Sequence, residues 1–108
     1  MNKTIYFISR ETKGSRHNPY FMSYDPVVAV SETLEMAQKF CQNQLNYLKG
    51  NYELSGFFTA IETNNPLIYK CKYDYQNHLT LEIREEIVTE QKYNEWVNNA
   101  KPYYFILK

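Results

Sequence analysis

The chain has 108 residues and carries 12 basic and 12 acidic side chains, so its formal net charge is zero. This length favours a single domain over residues 1–108, and the charge balance argues against binding nucleic acid through a general basic excess. Hydrophobic residues make up 44% of the chain and charged residues 22%, which excludes global disorder.

The unusual feature of the composition is its tyrosine content: eleven Tyr, together with six Phe and one Trp. A domain of this size has little interior for so many rings. Some tyrosines are therefore expected at the surface, either as ordinary half-buried sheet residues or as parts of a partner-binding face. The composition alone leaves both interpretations open.

Cys41 and Cys71 are the only cysteines, and their wide separation is typical of two free, buried thiols in a reduced protein. The amino-terminal residues MNKTIYFISR contain no apolar core of signal-peptide length. The longest uncharged apolar run, residues 27–30, is too short to span a bilayer. We therefore expect a cytoplasmic protein with no membrane partner.

The amino-terminal third predicts two strands. Residues 4–8 carry apolar side chains on both faces, as expected for a strand near the middle of a sheet, and residues 20–24 form the second strand. Asp25 and Pro26 should break this second strand, because proline lacks the amide that a sheet ladder needs.

A long helix follows. Apolar residues recur at helical spacing over about 32–49, with polar residues on the other side. Ser31 is the predicted N-cap, and Gly50 is the predicted stop in a left-handed conformation.

The carboxy-terminal half predicts three strands over 52–63, 67–74 and 78–88, then a short helix over about 90–100 and a last strand that binds at a sheet edge. Thr89 is the expected N-cap of the short helix, and Val88 should contact Tyr93 as a hydrophobic staple.

The hairpin between the strands 67–74 and 78–88 has a predicted register. A loop of three residues that ends at Asn77 sets Asp74 opposite His78 and Lys72 opposite Thr80, with Asn77 in the left-handed conformation that such a loop requires. One-residue slips are excluded, because they would set Leu81 opposite a lysine.

The resulting order is ββαβββαβ in one domain. Short turns favour a mainly antiparallel sheet with both helices on one side, so the predicted fold class is an α+β two-layer sandwich.

Two segments hold the candidate binding residues. The loop predicted over 10–17 is the most basic part of the chain and fits an acidic protein surface or a phosphate; the turn of the hairpin is the second. These residues are Arg10, Lys13, Arg16, His17, Tyr75, Asn77 and His78.

Catalytic and metal sites are not expected. The two histidines lie far apart without neighbouring cysteines, and the three glycines at 14, 50 and 56 build no phosphate-binding loop. Cys71 and His78 flank one hairpin, but the predicted register points Cys71 to the apolar face, where a thiol is inert. No cofactor is expected either.

We therefore expect a small non-catalytic protein that binds a macromolecular partner, in the first place another protein, through exposed tyrosines and sheet edges. The many Asn and Lys residues indicate an AT-rich genome. In size and composition the chain resembles accessory proteins of low-GC phages and mobile elements, which implies a regulator or inhibitor, for example of host defences. A homodimer is compatible with this function. The alternative is nucleic-acid or nucleotide binding through the basic loop 10–17.

Overall fold

The computed structural model of the chain describes residues 1–14, 22–52, 56–74, 77–99 and 105–107. Within these residues, six strands form one sheet and two helices pack on it, which confirms the α+β class, the mainly antiparallel sheet and the order ββαβββαβ. The elements are β1 (Asn2–Lys13), β2 (Met22–Ser31), α1 (Leu34–Tyr52), β3 (Phe58–Ile61), β4 (Ile68–Tyr73), β5 (Asn77–Thr89), α2 (Glu90–Asn99) and β6 (Phe105–Leu107).

The sheet has the strand order β3-β4-β5-β1-β2-β6. β1 and β5 are antiparallel neighbours along their whole length, from Asn2 opposite Thr89 to Lys13 opposite His78. β6 pairs in parallel with β2 at one edge, as predicted for the last strand. The sheet is long because β1 and β5 have 12 and 13 residues, roughly 40 Å each at the usual rise per residue.

The two helices pack on opposite faces of the sheet. α1 covers a core that contains Ile8, Ala29 and Leu81, whereas α2 covers Ile5 and Phe7 through its buried Tyr93. The expectation that both helices lie on one side is therefore corrected. The physical reason lies in β1: alternate residues point to opposite faces, and both faces are apolar between positions 5 and 8, so each needs its own cover.

α2 begins as predicted. The Lys92 amide donates a hydrogen bond to Thr89 Oγ1 at 3.2 Å, so Thr89 is the N-cap. Val88 packs in the same cluster as Tyr93, as expected for a hydrophobic staple. This contact holds α2 on the face of the sheet to which Val88 points.

β2 runs through Pro26 without ending, so the predicted strand break is wrong. The register shifts there: Ile8 faces Ala29, whereas Arg10 faces Asp25. The extra residues on β2 form a bulge opposite Ser9, and a bulge is one of the few places where a sheet accepts proline.

The predicted ends of α1 are both corrected. Ser31 is the last residue of β2, and its hydroxyl accepts from the Thr33 amide at 3.1 Å. Thr33 is the cap, because its Oγ1 accepts from the Met36 amide at 3.2 Å. Gly50 lies inside the helix, which ends at Tyr52, and the left-handed glycine is Gly56, with φ 77°. The strand predicted from residue 52 accordingly begins at Phe58.

The register of β4 and β5 differs from the prediction by two residues. Tyr73 faces Asn77 and Lys72 faces His78. The loop length of three residues between paired positions is as predicted, but the left-handed residue is Asp74, with φ 45°, and not Asn77. A shift of two keeps every side chain on its predicted face.

The basic loop predicted over 10–17 is also corrected, because its first part is strand. β1 continues to Lys13, with Arg10 and Lys13 in ladders with both β2 and β5. A strand places residues an odd number apart on opposite faces, so Arg10 and Lys13 diverge.

Candidate binding surface on the sheet

One half of the α2 face of the sheet is covered by neither described helix. α1 has 19 residues and α2 has 10, so they extend roughly 28 and 15 Å and cannot cover both faces of a 40 Å sheet. α1 covers one face toward the β4–β5 turn, and α2 covers the opposite face toward the other end. We call the uncovered half of the α2 face the open sheet face. Among its residues are Glu11, Lys13, Met22, Tyr24, Lys70, Lys72, His78, Thr80 and Glu82.

A row of basic residues crosses this face. Lys13 of β1 lies opposite His78 of β5, and His78 lies opposite Lys72 of β4. We call Lys13, His78 and Lys72 the cationic row, after its two lysines; it extends over two strand spacings, or about 10 Å. Lys70 lies one step along β4 on the same face. The register thus places two residues predicted from sequence, Lys13 and His78, directly opposite each other on adjacent strands.

The anions of the open sheet face only partly balance this row. Lys13 Nζ lies 3.4 Å from Glu11 Oε1 on its own strand. In the part of the chain that the structure describes, no carboxylate lies within ion-pair distance of Lys72, and Glu82 is four residues beyond His78, the partner of Lys72 on β5. The positive charge is therefore concentrated along Lys72 and Lys70.

Met22 and Tyr24 flank the cationic row on β2. The backbone register sets Met22 opposite Lys13 and Tyr24 opposite Glu11. Their exposed fractions are 66% and 57%. A methionine and a tyrosine side by side on an uncovered sheet provide apolar area of the type that is enriched at protein interfaces.

The remaining described candidates, Arg10 and Asn77, lie on the α1 face instead. Arg10 Nη2 is 3.7 Å from Asp25 Oδ2. Arg10 and Asn77 line a groove of about 420 Å³ between the end of α1 and the sheet, together with Tyr47 and Tyr73. Burial raises the pKa of Tyr73. The structure therefore divides the sequence-predicted set between two faces. Arg16, His17 and Tyr75 lie outside the described residues.

A second groove, of about 550 Å³, runs between α1 and the β3–β4 edge. Gln42, Asn46 and Thr63 supply polar groups to its wall, and Leu45 and Phe58 supply apolar ones. It contains none of the residues predicted from sequence.

The two thiols are free and buried in the α1 core, as predicted. Burial raises the pKa of Cys41 from 9.0 to about 12 and that of Cys71 to about 11, so neither is a ready nucleophile. Cys71 shares its face with Leu79, whereas His78 points to the open sheet face, so the two cannot form a catalytic pair. Among the described residues, no group of three His, Cys, Asp or Glu side chains is placed to hold a metal ion.

Sequence reasoning did not include Met22, Tyr24 or Lys72 among the candidate binding residues. Lys72 was assigned opposite Thr80, so its position opposite His78 was missed. A signal for the open sheet face was available in β1, which has apolar residues on both faces. Such a strand needs a helix on each face, and two short helices on opposite faces leave part of each face uncovered.

No protein-family model, curated protein or solved structure gives a significant match to the chain. Neither of the described helices has the length and apolar character needed to cross a membrane.

Proposed function

We propose that the chain is a small non-catalytic protein that binds a protein partner through the open sheet face. The observation that carries the proposal is the exposure of Met22 and Tyr24 on a sheet surface without helical cover among the described residues. Aromatic residues and methionine are enriched at protein interfaces, because aromatic rings bury a large apolar area and the flexible, polarizable methionine side chain adapts to the partner surface.

The backbone of this surface supports the same proposal. β1 is bonded on both sides, to β5 and to β2, so the side chains of the open sheet face project from a rigid ladder. A surface that is ordered before binding loses less conformational entropy when the partner arrives. Binding of this type would suit a regulator or inhibitor of the partner, of the kind carried by phages or mobile elements.

Nucleic-acid binding is the second candidate, and the cationic row favours it. Glu11 and Glu82 weigh against it, because they lie on the same face and would repel a phosphate backbone. Interfaces with nucleic acid are usually much more positive than a face with interleaved acids. We therefore rank a protein partner first.

Affinity capture with two matched variants tests the proposal. Tyr24→Ala removes a tyrosine from the open sheet face, and Tyr47→Ala removes one that is 69% exposed on α1. From a lysate of a low-GC bacterium, the wild type and Tyr47→Ala should capture one dominant protein that Tyr24→Ala loses. Capture of nucleic acid alone, capture of no protein, or equal capture by Tyr24→Ala would contradict the proposal.

A further inference from the structure

We infer that the protein segment bound by the open sheet face is acidic, and that the cationic row is the element that recognises its carboxylates. The inference rests on the proposed function and specifies the chemistry of the partner. It begins from an arrangement that folding alone does not favour: Lys70 and Lys72 lie on one face of β4, and Lys13 lies on the same face two strands away.

Like charges on one face of a sheet repel each other, and Lys70 and Lys72 are alternate residues of β4, about 7 Å apart on the open sheet face. Lys13 is partly neutralised by Glu11 at 3.4 Å. Lys72 is exposed and has no ion pair with any carboxylate of the described residues, and Lys70 on the same face has none either. An external carboxylate placed beside Lys72 would offset the repulsion between Lys72 and Lys70. The free protein therefore has uncompensated positive charge at this end of the cationic row.

The dimensions fit an extended peptide. The cationic row measures about 10 Å from Lys13 to Lys72, and alternate side chains of an extended chain project to one side about 7 Å apart. Two acidic residues at alternate positions can thus contact both ends of the row, given the length of the lysine side chains. Met22, beside Lys13, can then pack against an apolar residue of the same segment.

A protein segment fits this surface better than a nucleic acid does. The open sheet face carries Lys13, Lys70 and Lys72 against Glu11 and Glu82, and a continuous phosphate chain would meet both acids. A peptide can place carboxylates at the row and neutral or basic residues at Glu11 and Glu82. Charge complementarity of this mixed kind gives specificity for one partner.

Fluorescence anisotropy with synthetic probes tests the inference. The probes are a fluorescein-labelled peptide with Glu at six alternate positions, the same peptide with Gln, and a (dT)12 oligonucleotide. Lys72→Gln is the test variant, and Lys39→Gln, an exposed lysine on α1, is the matched control. At low ionic strength the Glu peptide should bind more tightly than the other two probes. Lys72→Gln should weaken its binding about five- to tenfold, and Lys39→Gln should leave it unchanged.

Three results would overturn the inference: no binding of the Glu peptide, equal weakening by both lysine variants, or tighter binding of (dT)12. The capture experiment repeated with Lys72→Gln separates this inference from the proposed function. If Tyr24→Ala loses the partner and Lys72→Gln keeps it, the proposed function stands and the acidic segment is wrong. If Tyr24→Ala also keeps it, the proposed function itself fails.

Discussion

Lys72 lies directly opposite His78 in the ladder between β4 and β5. The register predicted from sequence set Lys72 opposite Thr80 and Asp74 opposite His78. The observed register instead produces the cationic row, the most asymmetric charge feature of the open sheet face. A change of two residues in one hairpin thus converts a face of ordinary polar pairs into a candidate recognition surface.

Lys72→Glu should abolish partner binding and leave the stability of the fold almost unchanged. The substitution replaces a like-charge neighbour of Lys70 with an acid at an exposed position, so the free energy of unfolding should fall by no more than about 0.5 kcal/mol and can rise. Urea denaturation measures this, while partner capture by the same variant should be lost. A large loss of stability would show that Lys72 has a structural role that the ladder geometry does not explain.

Ile83→Ala and Ile87→Ala form a matched pair within β5. Ile83 is 2% exposed in the α1 core, whereas Ile87 is 67% exposed toward the other end of the same face. We expect Ile83→Ala to lower the free energy of unfolding by about 2–5 kcal/mol. For Ile87→Ala we expect a change within about 0.5 kcal/mol. Similar losses for both would mean that α1, or another part of the chain, covers the sheet at Ile87.

Thr33→Ala tests the corrected start of α1. It removes the hydroxyl that accepts from the Met36 amide, and the expected cost is about 1 kcal/mol of unfolding free energy. Thr33→Ser retains an accepting oxygen and is the control, with a smaller change expected in thermal or urea denaturation. If Thr33→Ala proved neutral, the cap would have to be assigned elsewhere.

The fold should lose stability in alkali through Cys41 and Tyr93. Burial raises the pKa of Cys41 from 9.0 to about 12. Burial, and a hydrogen bond to Glu32, raise the pKa of Tyr93 from 10.0 to about 12. Both groups stay neutral in the folded protein at pH values where the unfolded chain ionises. Their contribution is therefore complete below about pH 9 and falls as the pH rises from about 9 toward 12.

Cys41→Ala provides the control for this pH dependence. The variant should begin from a lower stability, since it leaves a cavity, but it should lose less unfolding free energy between pH 9 and 10.5 than the wild type. Parallel curves for the two proteins would show that Cys41 does not cause the loss.

The sequence predicted local features well where the deciding contacts are local. Thr89 caps α2 because its hydroxyl needs only the Lys92 amide three residues on, and the alternation in β4 and β5 assigned Cys71 and Leu81 to the core. The side-chain period of a strand is two, so alternation cannot distinguish registers that differ by two residues. The turn decides between them, and there Asp74 adopts the left-handed conformation that the prediction gave to Asn77.

The open sheet face depends on contacts between residues distant in sequence, which local patterns do not show. Lys13 meets His78 only because β1 inserts between β5 and β2 in the sheet. The length of β2 was underestimated because Pro26 was taken as a strand break. The bulge that accommodates Pro26 forms only when β2 pairs with β1, and that pairing is not visible in the local sequence. Because the predicted strands were shorter than β1 and β2, the prediction could not assign Met22 and Tyr24 to the same face as Lys13.

Methyl NMR of the complex with the captured partner tests the central claim most directly. The chain has three methionines, Met1, Met22 and Met36, of which Met22 lies on the open sheet face and Met36 on α1. In protein labelled with ¹³C at the methionine methyl groups, the partner should shift or broaden the Met22 signal and leave the Met36 signal unchanged. A shift of Met36 with an unchanged Met22 would place the partner on the helix and contradict binding at the open sheet face.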